Sequence, residues 1–493
     1  MGLFVSEGKK IKKNTLGINA ILNGTQSVLN LIFPLITFPY VSRVLSVNGM
    51  GIYNFSYTYV GYFLLIAGLG INTYAVREGA KYRDNFEKIS KFSSQIFSIN
   101  ILSTICAYLL LCVTLFVFKN LQLYYLCIVI FSLQIFFTTL GVNWLYIIYE
   151  DYTYITTRNI LFKIISIILL FVLVKKPSDY IIYAGITVLA GVGSNILNYY
   201  HAKSFIKLKL TFNLGLRIHL KPILIIFASV LGVNIYLYAD NTILGLLKGD
   251  YAVGIYSVST KIYKMSEDLL SAVLTVTIPR LSMLYGKKLY KEYSKLLSQL
   301  FNLLMLLSLP AATGLIMLSK DIVLIIAGEK YLPSANSLAV ISSAIVFSLI
   351  NWIFADCVLL PSKRENKLLI TTTVTAVLNI LVNIFVIPFW SYDGASFSTV
   401  VSELTAMCLN GYFGWNILRK CESYKLIATN MIEALLGCLL IIGVCLFCNI
   451  LISSVIYSLI TSVILSVLVY GTVLLILRNP SLLTLINSIF KKS

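Results

Sequence analysis

About fourteen runs of roughly 20 or more mostly apolar residues follow one another along the chain, each long enough to cross a hydrocarbon core as a helix. The first six lie near 15–42, 50–76, 92–118, 122–148, 153–174 and 178–200, and the next six near 221–247, 252–277, 296–318, 335–360, 367–389 and 391–418. Two more, near 427–449 and 451–477, close the pattern. No polar connection exceeds about 20 residues, so no separate soluble domain fits between the runs. The pattern predicts an all-α polytopic membrane protein of about 14 transmembrane helices, with its chemistry within or at the edge of the bilayer.

Composition narrows the class. Of 493 residues, 58% are hydrophobic and 12% charged, with mean hydropathy +0.87. Too little polar surface remains to coat a water-soluble fold, which excludes a soluble enzyme, a nucleic-acid-binding module and a disordered scaffold. The net charge of +19 would ordinarily suggest polyanion binding. Its placement says otherwise. About 28 basic residues fall in the N-tail, the even-numbered loops and the C-tail, against about 7 in the odd-numbered loops. The positive-inside rule then puts both termini in the cytoplasm. Nine cysteines, mostly inside the runs, read as small apolar residues. His201 and His219 share a loop without metal-ligand spacing. Met1-Gly2-Leu3-Phe4-Val5-Ser6 fits a myristoylation pattern by chance, and the polar N-tail before a long first run does not fit a cleavable signal.

The chain also repeats itself. Gly51-Ile52-Tyr53 with Ser56 recurs as Gly254-Ile255-Tyr256 with Ser259, at an offset of 203. Asn143-Trp144 recurs as Asn351-Trp352, and Leu197-Asn198 with Tyr200 as Leu409-Asn410 with Tyr412, at offsets of 208 and 212. The matches are ordered and drift in register as loop insertions would cause. They predict an N-lobe over 1–218 (spans 1–6), a C-lobe over 219–420 (spans 7–12) and a C-terminal pair with a basic tail over 421–493. Six spans per copy is an even number, so the copies share one orientation about an axis along the membrane normal, as in transporters built of paired lobes.

Charges inside apolar runs cost roughly 2.5–3.5 kcal/mol at the bilayer centre and mark functional candidates. The densest group is Lys261, Lys264, Glu267 and Asp268 on span 8. At 100° per residue Lys261, Lys264 and Asp268 share one stripe, with Lys264 and Asp268 an i,i+4 pair. Asp240 lies in span 7, Asp356 in span 10 and Glu403 in span 12, while Arg158 and Lys163 occupy span 5. Glu433 sits near enough to a span end to be bland. Pro34 and Pro39 interrupt span 1 and mark it as a candidate hinge, and Gly68 and Gly70 loosen span 2.

Phe38-Pro39-Tyr40-Val41-Ser42-Arg43, Gly49-Met50-Gly51-Ile52-Tyr53-Asn54-Phe55 and Arg77-Glu78 resemble the opening of bacterial polysaccharide repeat-unit flippases of the Wzx type. Asn143-Trp144-Leu145-Tyr146 through Glu150-Asp151-Tyr152, Ile155, Arg158 and Lys163 is similar to that family's span 4–5 region. Val174-Lys175 with Asp179-Tyr180, Asp240 before Gly254-Ile255-Tyr256, and Ser402-Glu403 extend the resemblance over spans 1–12. It implies a MATE-like fold and export, without enzymatic chemistry, of undecaprenyl-diphosphate-linked oligosaccharide for capsule, exopolysaccharide or O-antigen-type glycan. The site would be the bacterial plasma (inner) membrane.

Such a cargo needs cations for its diphosphate along a polar path. Arg158 and Lys163, then Lys261 and Lys264, supply them, and Arg43 is placed to receive the head on release. Asp240, Glu267, Asp268, Asp356 and Glu403 are the ion-coupling and gating candidates, with protons or sodium as coupling ions and no cofactor or metal expected. Expected partners are the lipid-linked oligosaccharide, membrane lipids, and the polymerase and glycosyltransferases of the same pathway, but no nucleic acid. A cation-coupled drug antiporter or lipid II flippase of the same fold is the alternative, and a membrane glycan polymerase the enzymatic one.

Overall fold

The computed structural model describes residues 16–419 and 424–480, so the basic N-tail, the Met1–Ser6 motif and the tail beyond Pro480 lie outside the described residues. Every described element is helical. In order they are α1 (Leu16–Val44), α2 (Val47–Gly68), α3 (Ile71–Gly79), α4 (Phe86–Val117), α5 (Tyr125–Leu140), α6 (Asn143–Ile148), α7 (Tyr152–Leu173), α8 (Tyr180–Val192) and α9 (Asn195–Ala202). There follow α10 (Leu216–Gly286), α11 (Tyr290–Met317), α12 (Ser319–Ala327), α13 (Ser334–Ser342), α14 (Ala344–Trp352), a π-helix (Ile353–Leu359), α15 (Glu365–Leu418), α16 (Tyr424–Leu451) and α17 (Val455–Ile476).

Each apolar run is centred on helix, but the count differs from expectation. Ten helices among the described residues are long and apolar enough to cross a membrane, or eleven if the bent pair Leu216–Gly232 and Leu237–Ala272 counts as one. That is fewer than the fourteen runs because α1 counts only over Val28–Val44, as a shorter apolar helix, and because two helices are unusually long. α10 has 71 residues and α15 has 54, so at 1.5 Å per residue each far exceeds a 30 Å core. Each takes in two expected spans and leaves helical geometry once, at Gly249 (φ 76°) and at Ser391 (φ 49°). α1 continues through Pro34 and Pro39. Span 2 breaks instead at Leu69 and Gly70, both at positive φ, where a Cβ on Gly70 would come 2.7 Å from Ile226.

The chain gathers into two compact units that divide between Gly245 and Leu246. In the first, α2 packs on α4 and α5, and α1 on α7. Its interior has one cluster around Tyr74, Ile96, Trp144 and Tyr146 and another around Tyr53, Phe131, Ile135 and Ala184. In the second, α11 packs on α16, and α14 on α15.

The internal repeat is written into hydrogen bonds. In the first unit Asn198 Nδ2 donates to Asn143 Oδ1 at 2.9 Å; in the second Asn410 Nδ2 donates to Asn351 Oδ1 at 2.7 Å. The Tyr53 hydroxyl meets Thr187 Oγ1 at 2.9 Å, and the Tyr256 hydroxyl meets Thr399 Oγ1 at 3.4 Å. Those partners keep the offsets of the repeat, 203 for the tyrosines and 212 for the threonines. Two further backbone bonds match. Asp151 N–H reaches Tyr146 O at 2.9 Å and Arg364 N–H reaches Leu359 O at 3.0 Å, beside Glu150 (φ 58°) and Lys363 (φ 59°). This last pairing has an offset of 213, so the second copy carries five extra residues after its Asn351. The drift there is therefore not a loop insertion. The added residues lie in the helical stretch 351–359, which they lengthen by about a turn, and its π-helix keeps the backbone hydrogen-bonded inside the apolar layer.

Candidate functional site

The first unit centres its charge on Arg158. Asp151 caps α7 by accepting the Tyr154 N–H at 3.3 Å, which starts the helix that carries Arg158 inward. Arg158 is 6% exposed, and its guanidinium donates through Nη2 to Asn143 Oδ1 at 2.7 Å and lies 5.8 and 5.7 Å from the Tyr146 and Tyr154 ring centres. Asn143 Oδ1 thus accepts twice, from Asn198 and from Arg158. Tyr146 donates to the Asn198 carbonyl at 2.7 Å, and His201 stacks on Tyr154 at 4.2 Å. Arg158 Nε and Nη1 are buried without a hydrogen-bond partner. At the matching offset of 213 the second copy has Thr371, so this cation sits on the repeated asparagine frame in one copy only.

Lys163 does not join it. Five residues on, it lies 140° around the helix, donates to Asn30 of α1 and sits 5.7 Å from the Phe33 ring centre. Arg43 ends α1 with an exposed side chain. Asp240 lies in α10 within electrostatic reach of Tyr62, whose hydroxyl meets Thr242 at 3.0 Å.

The second unit collects most of its candidates on one stretch of α10. Lys264 Nζ pairs with Glu267 at 2.7 Å and with Asp268 at 3.3 Å, and lies 5.6 Å from the Trp352 ring centre. Glu267 is buried and also accepts from the Tyr263 hydroxyl at 3.4 Å. The expected i,i+4 pair is present, but Glu267 is the nearer partner. Lys261 is exposed and makes no hydrogen bond or ion pair among the described residues. Glu403 of α15 lies in electrostatic reach of Tyr263. Asp356 sits apart in the π-helix, without a hydrogen bond or ion pair among the described residues.

Other motif residues assemble a support rather than a charge centre. Tyr40 donates to the Val174 carbonyl at 2.7 Å, Ser46 N–H reaches Pro177 O at 3.1 Å, and a Cβ on Gly49 would touch Tyr180 at 3.0 Å. Asp179 accepts the N–H groups of Lys175 and Lys176 at 2.9 and 2.7 Å, which holds its carboxyl below the usual carboxylate range. Asn143 and Asn198 are legible in the sequence as repeat markers, but not Asn143 as the acceptor of Arg158 nor Asn198 as the donor beside it. Glu433, bland by its place near a span end, is buried and accepts from Asn479. No group of three His, Cys, Asp or Glu able to hold a metal occurs among the described residues.

The family model described as a polysaccharide biosynthesis protein matches residues 16–285, and the MatE model matches residues 225–385. The chain is 27% identical over 369 residues to the "Putative O-antigen transporter" of Shigella dysenteriae, covering 74% of this chain and 91% of that relative. Among solved structures it resembles the lipid II flippase MurJ in an inward closed conformation, with TM-score 0.75 at 15% identity over 94% of this chain and 99% of that one. An inward-facing multidrug resistance MATE family transporter follows, with TM-score 0.61 at 14% identity over 82% of this chain and 99% of that one.

Proposed function

Because the chain belongs to the polysaccharide biosynthesis protein family, we propose that it is a flippase carrying a polyprenyl-diphosphate-linked oligosaccharide from the cytoplasmic to the outer leaflet of a bacterial inner membrane. Its relatives are transporters and flippases, and it is a multi-pass membrane protein of transport rather than an enzyme. The observation that carries the choice of cargo is Lys261. An exposed cation without an ion pair, in the middle of an apolar helix and one turn from a satisfied lysine–carboxylate cluster, suits a ligand's phosphoryl oxygens. A carrier of cationic drugs would gain nothing from it.

Arg43 and Lys163 are the further diphosphate contacts on this reading. Lys264 fixes Glu267 and Asp268, and Arg158 stiffens the first copy. Asp240, Asp268, Asp356 and Glu403 couple transport to protons or sodium, with the cavity opening to one leaflet and then the other. Both termini face the cytoplasm, and the 1–218, 219–420 and 421–493 segments act as two lobes and an appended pair.

Lys261→Gln tests the assignment, because Lys264→Ala would strand the buried Glu267 and confound folding with transport. The expected result is surface glycan lowered about tenfold or more, the loss of one charge-assisted contact, at unchanged membrane abundance. Full export by Lys261→Gln would sink the reading.

A further inference from the structure

The segment between α9 and α10 is not a slack connection. Ser94 Oγ donates to the Lys207 carbonyl at 3.2 Å and accepts the Lys209 N–H at 3.1 Å. Ser98 Oγ accepts the Thr211 N–H at 2.9 Å, and Gln95 Nε2 donates to the Asn213 carbonyl at 3.0 Å. One face of α4 thereby holds the backbone from Lys207 to Asn213 along its length. Leu208 points in, at 8% exposure, while Leu210 and Phe212 stand out at 69% and 105%.

Gly215 (φ 56°) then turns the chain into α10, whose rotation is fixed by two inward residues. His219 is buried, with Nδ1 accepting from the Tyr74 hydroxyl at 2.7 Å and Nε2 facing Gln95 Oε1 at 3.2 Å, and Ile223 is fully buried. The opposite side of the helix is an open face made by Arg217, Leu220, Lys221, Leu224, Ile225 and Ala228. Arg217 and Lys221 lie one turn apart at one end of it, exposed, and neither makes a hydrogen bond or ion pair among the described residues. From Arg217 to Ala228 the face runs about 16 Å along the helix, half the thickness of a hydrocarbon core, and beyond Lys221 it is wholly apolar.

We propose that this face and the pinned strip before it form a docking site for an anionic phospholipid, its phosphate between Arg217 and Lys221 and its chains along Leu224, Ile225 and Ala228. The charge at one end and the apolar surface beyond it match the two ends of that one molecule, and Phe212 and Leu210 seat the strip at the same interface. An acidic soluble peptide would satisfy the two cations and leave the apolar surface without a partner. The site does not depend on the cargo assigned above.

Native mass spectrometry of the full-length protein in detergent, titrated with phosphatidylglycerol or phosphatidylcholine, tests it. Wild type should retain phosphatidylglycerol adducts in preference to phosphatidylcholine, and Arg217→Gln/Lys221→Gln should lose most of them. Lys287→Gln/Lys288→Gln removes the same charge from another basic loop and should keep them. Equal retention of the two lipids, unchanged adducts in the first variant, or equal loss in the second overturns the proposal. Phe212→Trp tests the placement without touching a cation: brominated phospholipid in proteoliposomes should quench the added emission. Absence of quenching would overturn it too.

Discussion

Arg158 shows what a single position can and cannot disclose. A basic residue in an apolar run was visible as an anomaly, yet its surroundings were not. Its one acceptor is an uncharged amide, Asn143, contributed by another span, and the sequence marks that residue only as a member of a repeat. The same repeat supplies an internal control. Asn143→Leu and Asn351→Leu each delete one amide–amide bond, a net loss of about 0.5–1.5 kcal/mol. Only the first also strips Arg158 of its acceptor, adding about 1.5–3 kcal/mol for a hydrogen bond to a charged group. Thermal melting of the purified variants should therefore show the larger drop for Asn143→Leu, and equal drops would remove Arg158 from the explanation. Asp179 gives a pH-dependent counterpart. Its carboxyl is held low by two N–H groups, so its contribution is present above the ordinary carboxylate pKa near 4 and lost as the pH falls through the lowered value. The difference in melting temperature between wild type and Asp179→Ala should persist at pH 7 and shrink below about pH 4.

Among the elements, hydrophobic runs located the helices well and their interruptions poorly. The prolines of α1 looked like breaks, but the helix passes through them, whereas Ser391, an ordinary residue by composition, carries the turn inside α15. A turn of that kind is imposed by the need to reverse between two long apolar segments, and no side-chain pattern announces it. Ser391→Gly should relieve up to about 1 kcal/mol of backbone strain and raise the melting temperature slightly. Close approach between helices was equally silent. A Cβ on Gly61 would come 2.8 Å from the Tyr238 ring, so Gly61→Ala should cost about 1–3 kcal/mol and be partly rescued by Tyr238→Leu in a double-mutant cycle. The π-helix was half legible: the shift in offset was in the sequence, but only the structure shows that the extra residues are helical.

For the whole molecule, the distribution of charge is read by counting rather than from geometry. It predicts that Lys175→Cys, in a background without other cysteines, reacts with an impermeant maleimide in intact cells. Lys207→Cys should react only after permeabilisation, and labelling of both from one side would refute the assigned topology. What charge counting could not supply is the difference between the two copies.

That difference has an evolutionary consequence. A half-length ancestor assembling from identical subunits would have to carry each intramembrane charge as often as it carried the frame beneath it. Once two copies share one reading frame, a mutation can alter one and spare the other. The matched asparagine and tyrosine–threonine bonds are common to both halves, while Arg158 over Thr371 is a difference that one continuous chain can carry and two identical subunits could not.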